Sequence, residues 1–429
     1  MLDVEEQLAR LRQRVAAIDR KYKTGHKYKI AERTSSPRSP AHDVNRSFVE
    51  EWADGHVVTN EHGAHFQMEK TYPAHKQHGS ADIGALAELP PDFLDALSES
   101  QIAAAPPQRW AFLDTETTGL LGSSGTYAFL IGVGRITRSG FIVRQYFMRE
   151  YSEERSMLAA LEEHLAGFDV LVTYNGRSYD QPLLETRYRL HRRRAPFDRL
   201  GHLDLLHGSR RLWRLGFENC RLVRLEQEIL GVCREGDLPG ELIPYVYFEY
   251  LRSREAQRLI PIFHHNAMDI VTLACLTAIV PAAFRATDRE SLARVGVRRG
   301  TELAALARWL QTAGEHEKAL DLFRRAVDAG LPDRLLFRTL WDIGRLEKKL
   351  GRPLDARHVF YELAGCRNEY RMAALEELAK FYERDERNFA LALEFTGRAL
   401  EFGTSEALTR RKQRLESRLA KSRPRRRPL

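Results

Sequence analysis

"AFLDTETTGL", residues 111–120, sets an apolar run, Ala111-Phe112-Leu113, directly against two acids, Asp114 and Glu116. The run predicts a buried strand, and carboxylates are rarely left beside a core without compensation. Residues two apart on a strand share a face, so Asp114 and Glu116 point one way and Thr115 the other. Two acids held side by side repel, and a bound divalent cation is the usual remedy. The pair is a candidate cation site at a strand end.

Strand and helix alternate around it, from about Arg109 to about Phe284. "RWAFLDTE", "TYAFLIGVGRI" and "GFIVRQYFM" predict three strands, the last two separated by "TRSG". "SEERSMLAALEEHLAGF" predicts a serine-capped amphipathic helix, and "DVLVTYNG" a buried strand closing in an Asn-Gly turn. Three strands, then helix, strand and helix, predict an α/β fold, a mixed sheet flanked by helices.

Upstream, Leu8, Leu11, Val15 and Ile18 space a helix over residues 3–22, and "RTSSPRSPAHD" reads as disordered linker. Downstream the chain reads as all helix to about residue 405. Ala319, Ala356 and Ala392 recur at 37 and 36 residues, close to the tetratricopeptide period of about 34, with Ala326 and Ala399 on the same helix faces. The expected organisation is an N-terminal helix and linker over 1–47 and an extended lead-in segment over 48–105. The α/β domain follows over 106–286, then tetratricopeptide-like helical repeats over 298–408 and a basic tail over 409–429. Such repeats commonly offer a concave surface to a protein partner.

A chain of 429 residues with 43% apolar content supports two or three domains with real cores. No uninterrupted apolar stretch of about eighteen residues occurs, so no membrane span is expected. The first residues are charged from position 3 and lack the apolar core of a signal peptide. Cys220, Cys233, Cys275 and Cys366 lie far apart without CxxC spacing, which predicts free thiols, a cytoplasmic location and no zinc or iron–sulfur centre. The formal charge of +8 is uneven, because Arg410–Leu429 carries ten Lys or Arg against one Glu. That segment suits nucleic acid or another acidic partner.

Two further stretches carry chemistry. In "VLVTYNGRSYDQPLLETR", Asp180 follows a strand and turn and opens an apolar helix; alone it reads as a helix N-cap. In "IPIFHHNAMDIVTLACLTAIV", Asp269 interrupts an apolar helix four residues after His265 and five after His264. A four-residue step advances about 400°, so His265 and Asp269 share a face and His264 stands aside. A His–Asp pair bracing the core is the plain alternative.

Together, Asp-x-Glu on a strand, Asn-x-x-x-Tyr-Asp after a later strand and His-x-x-x-Asp on a helix span about 155 residues and resemble the DEDD superfamily of 3′–5′ exonucleases. "YAFLIGVG", "DLLHGSRRLWR", "CRLVRLEQEILG", "DLPGELIPYVYFEYL" and "HNAMDI" are similar to the YprB-type group of bacterial ribonuclease H-like proteins, over about residues 109–284. The resemblance implies a ribonuclease H-like fold and two Mg²⁺ or Mn²⁺ ions held by Asp114, Glu116, Asp180 and Asp269. It implies hydrolysis at the 3′ end of DNA or RNA, with a histidine handling the attacking water. His265 keeps the spacing of the superfamily's tyrosine form and His264 that of its histidine form; the shared face favours His265. The resemblance also puts the Thr118 and Gly119 backbone near the 3′ end, Leu120 against a base, and Asn175 and Tyr179 on the opposite wall. "HRRRAP" (191–196) and "SRRLWR" (209–214) would guide phosphates, with Trp213 as a stacking surface. A non-catalytic nucleic-acid or protein scaffold, and a structure-specific endonuclease on the same fold, are the competing readings.

Overall fold

The computed structural model describes residues 48–98, 102–119, 125–286 and 288–422. The helical pattern over 3–22, the linker, Leu120 and the basic residues from 423 onward lie outside them. The chain divides into two compact units: one runs to Leu206 and resumes over Arg221–Pro281, the other comprises His207–Cys220 and the residues from Ala282.

The first unit is built on a seven-stranded sheet. Its strands are β1 (Gly55–Asn60), β2 (Gly63–Pro73), β5 (Trp110–Thr117), β6 (Ala128–Thr137), β7 (Gly140–Phe147), β8 (Val170–Thr173) and β9 (Gly201–Asp204), in the order β1-β2-β7-β6-β5-β8-β9. Two short strands, β3 (Gln77–His78) and β4 (Ala81–Asp82), pair separately. Pairing is antiparallel from β1 to β5 and parallel from β5 through β8 to β9. Parallel neighbours need crossovers, supplied by α1 (Glu154–Leu165) between β7 and β8 and by α2 (Asp180–Leu190) between β8 and β9. Three further helices of nine residues or more follow: α3 (Leu205–Trp213), whose residues from His207 belong to the second unit, α4 (Ile243–Ser253) and α5 (Ile260–Arg285), whose residues from Ala282 do likewise. The first seven residues of β6 are all buried, as expected of a strand covered on both faces. The α/β expectation is met.

The segment expected as an extended lead-in is part of the sheet. β2 pairs with β7 from Phe66↔Phe147 to Pro73↔Gly140, and β1 folds back on it through a tight turn. β1 is half exposed throughout, so its sequence carries little apolar signal. Ser152 does not cap α1; Tyr151–Glu153 form a 3-10 turn ahead of the helix, and the Ser152 hydroxyl donates to Glu150 Oε1 at 2.5 Å.

A 30-residue stretch, Ala256–Arg285, reaches a mean hydropathy of 1.9 over an 18-residue window, enough by length and composition to cross a membrane. Yet 72% of that window is buried within the protein. A helix apolar all round is what a core position demands.

The second unit is all helix from Ala282 onward: α6 (Gly300–Thr312), α7 (His316–Asp328), α8 (Asp333–Lys349), α9 (Pro353–Gly365), α10 (Arg371–Arg384), α11 (Phe389–Phe402) and α12 (Glu406–Ser422), each packed on the next. Ala319, Ala356 and Ala392 are the fourth residues of α7, α9 and α11, all buried. The repeat spacing thus coincides with three helix pairs. The expected basic tail is helical as far as Ser422, because Leu408 and Leu415, seven residues apart, bury one face of α12. Arg411 and Arg414 both reach the Glu383 carboxylate, so part of the basic charge is spent internally. Trp213 is 2% exposed and belongs to this unit, so it offers no stacking surface. In 191–196, Arg193 pairs with Glu162 and Arg194 with Asp198, which leaves less free charge for phosphates than the sequence suggests.

Candidate functional site

Asp114 on β5 lies opposite Gly132 on β6, and Gly132 lies opposite Gln145 on β7. Direct cross-strand partners share a face, so the three form one row. The middle position has no side chain, and α5 fills it. A Cβ placed on Gly132 would sit 2.3 Å from Asn266 Oδ1 and 2.3 Å from Ile270 Cδ1. Through this close approach Asn266 Nδ2 donates to Asp114 Oδ2 at 2.8 Å and to the Asp114 carbonyl at 3.2 Å. Its Oδ1 accepts from Gln145 Nε2 at 2.8 Å. That donor fixes which way the amide points, so the NH₂ faces the acid.

One helical step beyond Asn266, Asp269 meets the guanidinium of Arg234, Nη2 to Oδ1 at 2.6 Å. His265 Nδ1 lies 2.9 Å from Asp237 Oδ1, and its Nε2 lies 3.6 Å from Asp269 Oδ2. His264 is on the exposed side of α5. The structure therefore brings His265, and not His264, to Asp269. Burial disfavours the His265 imidazolium, but the Asp237 hydrogen bond and the charges of Asp269 and Asp237 outweigh it and raise its pKa. Burial likewise opposes the Asp237 charge, and the His265 hydrogen bond with Arg234 nearby overcomes it, leaving the carboxyl below its ordinary range.

Asp180 enters from beyond the carboxyl end of β8. Parallel pairing of β5 with β8 ends at Phe112↔Val172, which leaves Thr115 without a strand neighbour on that side. The Thr115 hydroxyl donates to Asp180 Oδ1 at 2.5 Å, and its backbone adds a second bond. Asp180 is the first residue of α2, with Tyr179 at the cap position and no side-chain cap bond, so it is not the N-cap its sequence allowed. Thr115, the residue between the two acids, is the tether of the third.

Burial pushes Asp114 well above its ordinary pKa, and Asp269 and Asp180 push it further. Glu116 is raised well above its own, by burial first and then by Asp114, Asp269, Asp180 and Asp237. The four expected acids thus share one field. They do not converge into a ready cage: among the described residues no three His, Cys, Asp or Glu side chains are grouped to hold a metal ion. The reason is local, since Asn266 holds Asp114, Thr115 holds Asp180 and Arg234 holds Asp269. The donor set is nonetheless all carboxylate oxygen, which fits Mg²⁺ or Mn²⁺.

Burial raises Asp180 from 3.8 to about 6 despite the Thr115 hydrogen bond. The folded state therefore binds more protons than the unfolded one between those values, and stability falls as pH climbs through that window. In metal-free protein, Asp180→Asn should raise the melting temperature above about pH 6 and match the parent near pH 4. Thermal melts in chelator across this range test it, and a difference independent of pH would count against it.

Of the expected substrate contacts, the Thr118 amide already donates to the Tyr127 carbonyl at 2.9 Å, and the Thr118 hydroxyl accepts from the Tyr127 amide at 2.9 Å. Thr118 thus offers no backbone donor to a substrate. The Gly119 carbonyl accepts from the Thr117 hydroxyl. Asn175 adopts φ 68°, and its amide donates to Asp204 Oδ1 at 2.7 Å, which pins the turn before α2. Tyr179 is 50% exposed and available to a ligand. Leu120 lies outside the described residues. Asn266, Arg234, Asp237 and Thr115 were not anticipated. Asn266 stands beside the two histidines and Thr115 between the two acids; Arg234 and Asp237 sit in a loop whose sequence gives no sign of its partners.

A profile of the RNase H superfamily matches residues 111–280. The chain is 33% identical over 293 residues to the Bacillus subtilis (strain 168) protein named "Uncharacterized protein YprB", covering 67% of this chain and 68% of that one. A family B DNA polymerase from the archaeon Pyrobaculum calidifontis aligns over 49% of this chain with 16% identity and a TM-score of 0.32. This chain spans only 30% of the polymerase's length.

Proposed function

We propose, from the premise that this chain belongs to the RNase H superfamily in one family with YprB, that it is a metal-dependent nuclease trimming nucleic acid from the 3′ end. RNase H-like domains are associated with nuclease action. The observation that carries it is the Asp114–Glu116 pair, half-buried and under the charges of Asp180 and Asp269. Asp114, Glu116, Asp180 and Asp269 would hold two Mg²⁺ or Mn²⁺ ions, which supply charge neutralisation at the phosphate and acidify water.

The chain's own residues do the rest. Asp237 accepts the Nδ1 proton of His265 and so selects the tautomer whose Nε2 is free to take a proton from water. Asn266 holds the Asp114 carboxylate in one orientation, so no reorganisation is needed during reaction. The exposed Tyr179 ring gives a base a face to stack on. The helical unit, read as tetratricopeptide-like repeats, would present the substrate or a protein partner.

The test is a Mn²⁺-dependent assay with 3′- and 5′-labelled DNA and RNA oligonucleotides, with Asp114→Ala as control. Stepwise loss from the 3′ end by the parent alone is expected. Cleavage of a 3′-blocked substrate would favour an endonuclease. Equal degradation by the control, or none by either, would favour a scaffold.

A further inference from the structure

We propose that Lys70 and Lys76, with His264 beside them, form a subsite for the sugar–phosphate backbone of the nucleic-acid substrate, a few nucleotides from the carboxylates. This rests on the nuclease reading above. It adds the N-terminal hairpin and the turn after it, which precede the span matched by the family profile, to the substrate-binding surface. The sheet register puts Lys70 on the face that carries the acids. Asp114, Gly132 and Gln145 form one row, and Gln145 lies opposite Met68 on β2. Lys70 comes two residues after Met68, so it points to the same side in the next row, opposite Val143. Three strand intervals, about 14 Å, separate β2 from β5.

The two lysines converge on one ring. Their ammonium groups each lie 5.4 Å from the centroid of Tyr72, so they can be no farther apart than twice that distance. Tyr72 is 3% exposed, and its fixed ring holds both cations by cation–π attraction without neutralising either. Neither lysine is paired with a carboxylate among the described residues. Glu69, the adjacent acid on β2, points to the opposite face and is taken by Arg144 at 2.8 Å. Lost solvation first, and the Lys76 charge second, lower the Lys70 pKa. An anion bound between the two would therefore relieve a repulsion as well as supply an attraction. His264, exposed near the start of α5, feels the Lys70 charge and adjoins His265, which faces Asp269. Burial and then Lys70 lower the His264 pKa, which leaves a neutral ring with one N–H to donate. Two ammonium point charges and one neutral donor suit phosphate oxygens. An acidic peptide carries the same charge, but a nucleic-acid strand leaving the carboxylates past His265 and His264 meets these lysines directly.

Fluorescence anisotropy of a labelled single-stranded oligonucleotide tests this, with full-length Asp114→Ala protein in chelator over a range of salt. Lys70→Gln and Lys76→Gln should each flatten the dependence of log Kd on log salt by about 0.7, and the double variant by about 1.4. The loss of affinity should be the same for any base sequence. Lys70→Arg keeps the charge and should keep the parent's slope. Arg144→Gln, which removes a charge from the other face beside Lys70, should keep it too. In otherwise unaltered enzyme with Mn²⁺, the double variant should raise KM and leave kcat within about twofold, because the contact is remote from the reacting centre. A double variant with the parent's slope, or an equal flattening by Arg144→Gln, would overturn the inference. So would a double variant that loses binding to poly-glutamate while its oligonucleotide binding is unchanged, which marks a protein-docking face. Lysine-dependent binding without hydrolysis by the parent would remove the nuclease reading and keep the subsite; hydrolysis with an unchanged KM in the double variant would do the reverse.

Discussion

Asp114→Asn should cut metal-dependent hydrolysis at least about 10³-fold and yet raise the melting temperature of the metal-free protein. The two effects share one cause. Burial and the charges of Asp269 and Asp180 make an ionised Asp114 costly, and its raised pKa states that the folded protein holds this charge against resistance. At neutral pH the neutral amide removes that cost while still accepting from Asn266 Nδ2, so stability rises where function is lost. For a unit of this size each kcal/mol recovered moves the midpoint about 2–4 °C. Turnover of a 3′-labelled oligonucleotide and calorimetric melts in chelator measure the pair. A variant that keeps activity within tenfold, or melts lower than the parent, would contradict the assignment.

Gly132→Val is expected to do comparable damage without touching an acid. The added Cβ would already lie 2.3 Å from both Asn266 Oδ1 and Ile270 Cδ1, and two methyl groups follow it. Overpacking of this kind costs about 1–3 kcal/mol and displaces the neighbouring element. That element is α5, which carries Asn266, His265 and Asp269. Misplacement near 1 Å at a reacting centre costs about 10²-fold in rate. Gly397→Ala in α11, where a methyl group meets nothing within 4 Å, is the matched control and should be neutral or slightly stabilising. Chemical denaturation and the nuclease assay on both variants separate the cases; equal behaviour would remove the packing argument.

Legibility in the sequence followed locality. Asp114, Glu116, Asp180 and Asp269 stood out because an acid inside an apolar run breaks a pattern that one strand or helix displays by itself. His265 could be preferred over His264 for the same reason, since helical period alone puts it on the Asp269 face. The partners that orient these acids gave no comparable signal. Asn266 works only because Gly132, on a strand more than a hundred residues earlier, leaves it room. Arg234 reaches Asp269 from a loop that no periodicity governs. β1 and β2 read only as an extended lead-in because an outermost, half-exposed hairpin shows little apolar alternation. Trp213 was misjudged for a related reason: adjacent arginines suggested an exposed surface, while the ring itself turns inward.

The hairpin of β1 and β2 has a practical corollary. The family profile begins at residue 111, yet β7 spends its outer row of backbone amides and carbonyls on β2 along its whole length. A polypeptide trimmed to the matched span would bare that row beside Phe141, Val143 and Phe147, creating an adhesive border open to any passing strand. A piece meant to keep β7 paired and β2 covered should therefore start upstream of residue 55, before the span that the family profile matches.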